Sequence, residues 1–256
     1  MILGTWGYWA IIAFLGCYAA YRFFFPVIRS FPAVIRVFKG GRFNKKNTLT
    51  EEQYKKLSVG SLFAYCQNAY INTLSTGLNK KRRVMFCDYW GVSDKDEAFS
   101  RLEDLCEQPF TDYISHARRS LNGHTEEDAD EEYTECACRH YANLMDCYDV
   151  LVKSKIIGNK MDLDRYGAIG WDAGRLVFMA RLCYDAKYIS EEEAWEYIDI
   201  AYEMVKERYT SWHDLVISFI IGHAMCYGKK FNYELMKFEA DTLLSDPEGP
   251  WTQMPW

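Results

Sequence analysis

Residues 171–226 decide the fold, and they read WDAGRLVFMARLCYDAKYISEEEAWEYIDIAYEMVKERYTSWHDLVISFIIGHAMC. Apolar residues recur in this stretch at the i, i+4, i+7 spacing that places them on one face of an α-helix. A capping-box pattern opens the second helix, because Ser190 precedes Glu193 by three residues. Ser211 and Asp214 repeat that spacing before the third helix. The stretch therefore predicts three consecutive helices that pack together through their apolar faces.

The residues before this stretch favour helices as well. Thr50 and Gln53 predict a helix start, and this helix is expected to run to about Thr76. Thr125 and the acidic residues after it predict a long helix that ends near Ile157. No sustained period-two alternation and no strand–turn–strand pattern occurs in the sequence. We therefore predict an all-α fold, a multi-helix globular domain of roughly eight to ten helices preceded by an N-terminal transmembrane helix.

The N-terminus carries the transmembrane prediction. Residues 2–21 contain no charged side chain, and an α-helix of that length spans about 30 Å, the thickness of a bilayer core. Aromatic residues flank the apolar run at both ends, where they suit the two membrane interfaces. We expect a transmembrane anchor over residues 1–25. The alternatives are a helix that lies on the membrane surface and one that packs in a soluble body.

Cations follow the apolar run and set the expected orientation. A basic juxtamembrane linker is predicted over residues 26–49, and no acidic residue precedes Glu51. The cations expected closest to the membrane are Arg22, Arg29, Arg36, Lys39 and Arg42. The positive-inside rule then places the N-terminus outside and the body, residues 50–245, in the cytosol. The tail, residues 246–256, is punctuated by proline and glycine and is expected to be irregular.

Composition narrows the choice of partners. The nine cysteines are odd in number and lie mostly in helical apolar patterns, as reduced cysteines of cytosolic proteins do. The net charge of −6 argues against nucleic acid as the main partner, because binding to a phosphate backbone needs a cationic surface. The basic cluster at residues 80–83 suits a solvated helix start, or contact with anionic lipid or nucleic acid. We expect a lipid bilayer and a protein as partners, and the sequence fixes no oligomeric state.

One charged residue, Asp172, stands out on the apolar stripe of the first helix of this stretch. Asp172 and Arg175 are three residues apart, so they form either an ion pair within the first turn or part of a polar pocket. His223 lies on an apolar helix face and is either a core histidine or a general base that a carboxylate approaches in space. The candidate polar site comprises Asp172, Arg175, Glu193 and His223. The candidate aromatic contacts are Trp171, Trp195 and Trp212.

Motifs for common cofactors and metals are missing from the sequence. It has no phosphate-binding glycine loop, His-Glu-x-x-His site, nucleophile elbow or Cys-x-x-Cys pair. Cys136, Cys138 and His140 are closely spaced, but helix positions two apart point in different directions. We expect no metal site and no cofactor. Two function hypotheses follow: a protein-interaction or regulatory module, for example an immunity-type partner of a toxin, or a hydrolase or small-ligand-binding enzyme that uses the candidate polar site.

An ordered set of short motifs resembles a known family. The motifs are Trp90-Gly91-Val92 before an acidic helix start, Trp171-Asp172-x-x-Arg175, YISEEEAW at residues 188–195, Ser211-Trp212 and Gly222-His223. Over residues 57–227 they resemble the bacterial domain-of-unknown-function family DUF1266, which includes YbeU- and YbeR-like proteins. The resemblance implies a helical bacterial domain, and hence the inner membrane as the location of the anchor, but it brings no established activity. Lys187 stands where the family pattern has glycine, and His223 stands where it has arginine. The second difference weakens a family-wide catalytic role for position 223.

Overall fold

The computed structural model describes residues 42–107, 110–123 and 130–256. The predicted anchor, residues 1–25, lies outside these ranges. The same holds for four cations predicted to be near the membrane, Arg22, Arg29, Arg36 and Lys39, whereas Arg42 is the first described residue. Within the described ranges, no helix combines the length and the apolar character that crossing a bilayer requires.

The regular structure of the described chain is helical. The α-helices are α1 (Glu51–Leu57), α2 (Ser61–Cys66), α3 (Lys80–Trp90), α4 (Lys95–Glu107), α5 (Phe110–Leu121), α6 (Glu131–Lys153), α7 (Met161–Tyr166), α8 (Ile169–Ala186), α9 (Glu191–Lys206), α10 (Trp212–Tyr227), α11 (Tyr233–Ser245) and α12 (Pro250–Gln253). Short 3-10 helices, Ser58–Gly60 and Gly228–Lys230, follow α1 and α10. The all-α prediction is confirmed, since the described ranges contain no β-strand. Eight of the described helices have eleven or more residues, in agreement with the predicted number, and four short ones come in addition.

Helix α8 is the centre of the domain. The helices α4, α9 and α10 pack against it, and side chains such as Leu176, Phe178 and Leu182 are completely buried. Contact on several sides explains why apolar residues occupy nearly every position of this helix. The predicted capping box before α9 is confirmed: Ser190 Oγ accepts from the backbone N–H of Glu193 at 3.1 Å, and the Glu193 carboxylate accepts from the Ser190 N–H at 2.6 Å.

The helix predicted from Thr50 to Thr76 is wrong in its second half. Helical structure stops before Asn68, which has a left-handed φ of 50°, and residues 67–79 form a loop. The cause lies in α8, because the buried Arg181 side chain binds carbonyl groups that a continuing helix would use internally. The acceptors are the carbonyl oxygens of Tyr70, Thr73, Leu74 and Ser75.

Two chain segments differ in detail from the sequence predictions. Asp130, and not Thr125, caps α6, because the Asp130 side chain accepts from the backbone N–H of Glu132 at 2.9 Å; Thr125 itself lies outside the described ranges. The tail, residues 246–256, includes the short helix α12. It packs on the body, since the buried indole of Trp251 donates to a carbonyl of the first 3-10 helix at 2.9 Å.

Candidate functional site

The ion pair predicted at the start of α8 is present and buried. Asp172 is completely buried, and one of its oxygens accepts from Arg175 Nη2 while the other accepts from the backbone N–H of Phe110 in α5. The guanidinium carbon of Arg175 lies 4.5 Å from the ring centroid of Phe110 and 5.4 Å from that of Trp171. α5 and α8 therefore hold this cation beside a carboxylate and over two aromatic rings, where little water screens either interaction.

Burial changes the acidity of this carboxyl group. It raises the pKa of Asp172 from the ordinary value of 3.8 to about 6, although Arg175 and the N–H of Phe110 favour the ionised form. An acid whose pKa is higher in the folded state binds its proton more tightly when folded, so protonation stabilises the fold. That contribution is complete below the unfolded pKa and is lost as the pH rises through about 6.

We expect Asp172→Asn to change how stability depends on pH. Between about pH 4 and pH 7, the wild-type free energy of unfolding should fall by roughly 2 to 3 kcal/mol relative to that of the variant, because asparagine carries no titrating proton. Urea unfolding of the full-length chain in mild detergent, followed by circular dichroism across this pH range, measures the difference.

Asp214→Asn is a control for which the pH dependence of stability should have the opposite sign. The pKa of Asp214 is lowered: partial burial opposes the shift, but hydrogen bonds from Thr210 and Ser211 outweigh it. The stabilising contribution of Asp214 is present above its unfolded pKa and is lost as the pH falls, so the wild type should gain stability relative to this variant as the pH rises. A pH-independent difference for Asp172→Asn, or one in the same direction as for Asp214→Asn, would contradict the buried-acid assignment.

A cleft with a volume of about 230 Å³ opens beside the ion pair. The helices α3, α4, α8 and α10 supply its lining residues: Tyr89, Trp90, Arg101, Trp171, Arg175, Cys226 and Tyr227. The phenol oxygens of Tyr89 and Tyr227 are 3.3 Å apart and connect α3 to α10. Arg101 is held in place because its Nε donates to the carbonyl of Trp90 at 3.1 Å and its Nη1 lies 3.2 Å from an oxygen of Asp104. Two cations and four aromatic rings thus converge on one small space.

Two of the lining residues hold hydrogen-bond donors without a partner. The Nε1 of Trp171 and the Nε of Arg175 are both buried, and neither bonds to any group in the part of the chain that the structure describes. A buried N–H without an acceptor costs about 1 to 3 kcal/mol, and native proteins keep few of them. Because solvent reaches neither atom, both lie behind the surface of the cleft and do not open onto it.

His223 lies in an aromatic cluster and not in a proton relay. Its ring centroid is 5.2 Å from that of Trp171 and 4.7 Å from that of Tyr227. Burial lowers the pKa of the imidazole to about 3, so the ring is neutral at physiological pH. Its Nδ1 has no partner among the described residues, and both oxygens of Asp172 are bonded elsewhere. The structure provides no hydrogen bond between Asp172 and His223.

The remaining sequence candidates do not line the cleft. Glu193 closes the capping box of α9, and its carboxylate lies 3.1 Å from Lys95 Nζ. Trp195 is partly buried against the core. Trp212 stacks on Trp251 with 5.8 Å between ring centroids, and so anchors the tail. Of the seven polar and aromatic candidates, Trp171 and Arg175 line the cleft. Asp172 is buried beside Arg175, and the ring of His223 contacts that of Trp171.

Most of the lining could not be recognised from the sequence. Tyr89, Arg101 and Tyr227 carry no motif, although Trp90 begins the first motif of the family resemblance and Cys226 lies one turn beyond His223. Nothing in the sequence places the end of α3 beside α10. Packing on α8 brings these two helices together.

The closely spaced Cys136, Cys138 and His140 do not form a metal cluster. The Nδ1 of His140 lies 2.9 Å from the carbonyl oxygen of Met225. Across the described ranges, no three side chains that could bind a metal ion come together.

The fold and the cleft define the class: an all-helical domain with a small cleft bounded by arginine and aromatic side chains. The chain belongs to the family described as Protein of unknown function (DUF1266), whose model matches residues 85–256. The family predicted from the motifs is thereby confirmed, while the narrower YbeU-like label stays a prediction. No curated protein and no solved structure matches the chain. Every residue that lines the cleft falls within the range matched by the family model.

Proposed function

We propose that the chain is a membrane-tethered regulatory domain that binds a small ligand in the cleft beside Arg175. The observation that carries the proposal is the lining of a cleft of about 230 Å³, where Arg101 and Arg175 converge with four aromatic rings. Arg101 bonds to the chain through Nε and Nη1 and Arg175 through Nη2, so each guanidinium keeps a nitrogen for a ligand that accepts hydrogen bonds. Concave sites of this kind, mostly aromatic with a few polar groups, are typical of small-molecule binding.

The geometry favours binding over hydrolysis. A hydrolase needs a general base within hydrogen-bond reach of the group that it activates. Asp172 is completely buried with both oxygens engaged, and His223 is a weak base whose pKa burial lowers to about 3. Burial also raises the pKa of the Cys226 thiol, which keeps it protonated and weakly nucleophilic. The hydrolase hypothesis therefore lacks both a base and an activated nucleophile at the cleft.

A fragment-binding experiment tests the proposed ligand site. Saturation-transfer NMR on the full-length chain in mild detergent, with a mixture of neutral, cationic and anionic one-ring fragments, should detect binders. Cys226→Phe places a ring in the cleft and should abolish that binding, while circular dichroism confirms that the variant is folded. Tyr89→Ala removes a wall residue that is 67% exposed, so it should weaken binding without disturbing the core. The proposal fails when no fragment binds, or when binding to Cys226→Phe is unchanged.

The position of Arg42 supports the membrane tether. Its guanidinium lies 4.3 Å over the ring of Tyr70. Tyr70 in turn packs closely on Gly77, where an added Cβ would lie 2.1 Å from the ring. Gly77 is three residues before α3, so the segment that follows the predicted anchor reaches the body beside the basic start of this helix.

One face of α3 has the character of a membrane-facing surface. Its exposed residues recur at i, i+1, i+4, i+5, i+8 and i+9: Lys80, Lys81, Val84, Met85, Asp88 and Tyr89. Val84 and Met85 are 49% and 52% exposed, and they lie side by side one turn after the two lysines. Cations beside exposed apolar groups match an anionic lipid surface. We place this face against the inner leaflet of a bacterial inner membrane, with the body in the cytosol.

We expect charge reversal at Lys80 and Lys81 to release α3 from anionic lipid. Each lysine near such a surface contributes about 1 kcal/mol to the contact. On anionic lipid the α3 amides of the wild type should exchange slowly, and Lys80→Glu with Lys81→Glu should make them exchange fast. The measurement compares the full-length chain in nanodiscs with and without anionic lipid. Lys153→Glu with Lys155→Glu, on exposed lysines at the end of α6, is the matched control. Equal α3 exchange in both lipids would refute the contact, and full-length protein that stays in the supernatant of lysed cells would refute the tether.

A regulatory role requires a protein that responds to the domain. The prediction of a protein partner, including one of the immunity type, rests on the acidic body and the missing catalytic motifs. Chemical cross-linking in native membranes, with and without a cleft ligand, tests it directly. A stoichiometric partner whose cross-linking changes with the ligand supports the regulatory proposal, and the absence of any stoichiometric partner contradicts it.

A further inference from the structure

We infer that the ligand of this cleft is a small planar acid, one aromatic or conjugated ring that carries a carboxylate. The inference rests on the proposed function and specifies the chemistry of the same site. Three properties of the cleft lead to it: the hydrogen-bonding sense of its charged groups, the charges in its walls, and its size.

The charged groups of the lining are hydrogen-bond donors in both cases. The guanidinium groups of Arg101 and Arg175 can donate hydrogen bonds and cannot accept one. A ligand that bonds to them must bring acceptor atoms. An ammonium group has none, so amines are poor partners for the two arginines.

The charges favour an acceptor that is ionised. Arg175 bonds to Asp172 through Nη2, which leaves its other N–H groups without a bonded carboxylate. Arg101 uses Nε and Nη1 for Trp90 and Asp104, and its Nη2 remains for a ligand. The planar fork of a guanidinium fits the two oxygens of a carboxylate, and hydrogen bonds between ionised groups are about twice as strong as neutral ones.

The size of the cleft and its aromatic walls determine the size and the apolar part of the ligand. A cavity of about 150 Å³ holds a benzene molecule, and pockets for drug-sized ligands begin at about 300 Å³. At about 230 Å³ the cleft has room for one ring with a carboxylate, and a nucleotide or a peptide would extend beyond it. The rings of Tyr89, Trp90, Trp171 and Tyr227 line this space and suit contact with a flat, apolar surface.

The test compares four probes of graded chemistry on the full-length chain in mild detergent. Benzoate has the ring and the charge, benzyl alcohol has the ring alone, benzylamine carries the opposite charge, and acetate has the charge alone. Isothermal titration calorimetry should give the tightest binding for benzoate, with benzyl alcohol and acetate weaker by about tenfold or more. Benzylamine should be the weakest of the three ring-containing probes.

A variant that removes one positive charge from the cleft tests where the carboxylate of the ligand binds. Arg101→Gln should weaken benzoate binding by about tenfold and leave benzyl alcohol binding unchanged. This residue is partly exposed, so the variant keeps the fold. Arg208→Gln, at an exposed arginine that does not line the cleft, is the matched control and should leave both affinities unchanged.

The outcomes separate the two proposals. When benzyl alcohol, benzylamine or acetate binds as tightly as benzoate, or when Arg101→Gln weakens every probe equally, the planar-acid inference is overturned and the ligand-binding function stands. When no fragment of any charge binds the wild-type chain, both proposals fall together.

Discussion

Replacing Arg181 by methionine is expected to lower the free energy of unfolding by about 4 kcal/mol or more. The side chain is 1% exposed, and it donates hydrogen bonds to four carbonyl groups of the loop at residues 67–79. Burial lowers the pKa of its guanidinium to about 10, so it remains charged at neutral pH. Methionine fills much of the same volume but leaves these carbonyls without donors, and each unsatisfied buried acceptor costs about 1 to 3 kcal/mol.

Urea unfolding of the full-length chain in mild detergent measures this loss. Arg181→Lys should be intermediate, because a lysine ammonium keeps the charge but cannot reproduce the planar fork. Arg208→Met is the matched control: this exposed arginine also donates to two carbonyls, at 2.9 and 3.3 Å, yet water can replace it. Equal losses for Arg181→Met and Arg208→Met would show that the loop does not depend on the buried guanidinium.

The same arginine explains why the sequence misled us about residues 67–79. Apolar spacing after Thr50 continues as though one helix reached Thr76, and local patterns contain no information about a side chain more than a hundred residues away. Asp185, one turn after Arg181, adds to the constraint by accepting from the backbone N–H of Thr76 at 2.8 Å. Tertiary hydrogen bonds from α8 therefore override a local helical preference.

The parts of the fold that the sequence predicted are those that local chemistry determines. The apolar stripes of α8, α9 and α10 and the capping box at Ser190 follow from spacings within a few residues, and the structure confirms them. The ion pair of Asp172 and Arg175 is equally local, because it joins neighbours on one helix face. The burial of this ion pair is not determined locally, since the backbone N–H of Phe110 in α5 donates to Asp172.

Such local patterns cannot predict the cleft. It takes residues from four helices, and its lining joins Tyr89 of α3 to Tyr227 of α10 across a long stretch of sequence. Isolated aromatic residues are common in helical cores, so neither tyrosine could be distinguished from a packing residue. Of the two α8 residues in the lining, Arg175 was recognisable because a charge beside an apolar stripe needs a partner or a cavity. In this protein it has both.

The close approach of α8 and α10 makes Gly222→Ala the second strongly destabilising substitution. A Cβ at this position would lie 2.3 Å from the Cβ of Trp171 and 2.7 Å from its Cγ, closer than side chains can approach. Alanine gains up to about 1 kcal/mol over glycine in helix propensity, but the contact forces α8 and α10 apart. We expect a net loss of about 3 kcal/mol in the free energy of unfolding, at the upper end of overpacking effects.

Gly174→Ala is the graded comparison, because the two substitutions add the same methyl group at the α8–α10 contact. A Cβ at position 174 would meet the ring edge of Phe219 at 3.1 and 3.2 Å and the carbonyl oxygen of Val59 at 3.9 Å, an ordinary contact distance. The ring can shift by the small amount that is needed. This variant should therefore lose less than about 1 kcal/mol. Gly222→Ala should also abolish ligand binding in fragment NMR, because Trp171 must leave the cleft wall when its Cβ moves. A larger loss for Gly174→Ala, or fragment binding that survives in Gly222→Ala, would mean that the α8–α10 contact does not position the indole as the structure shows.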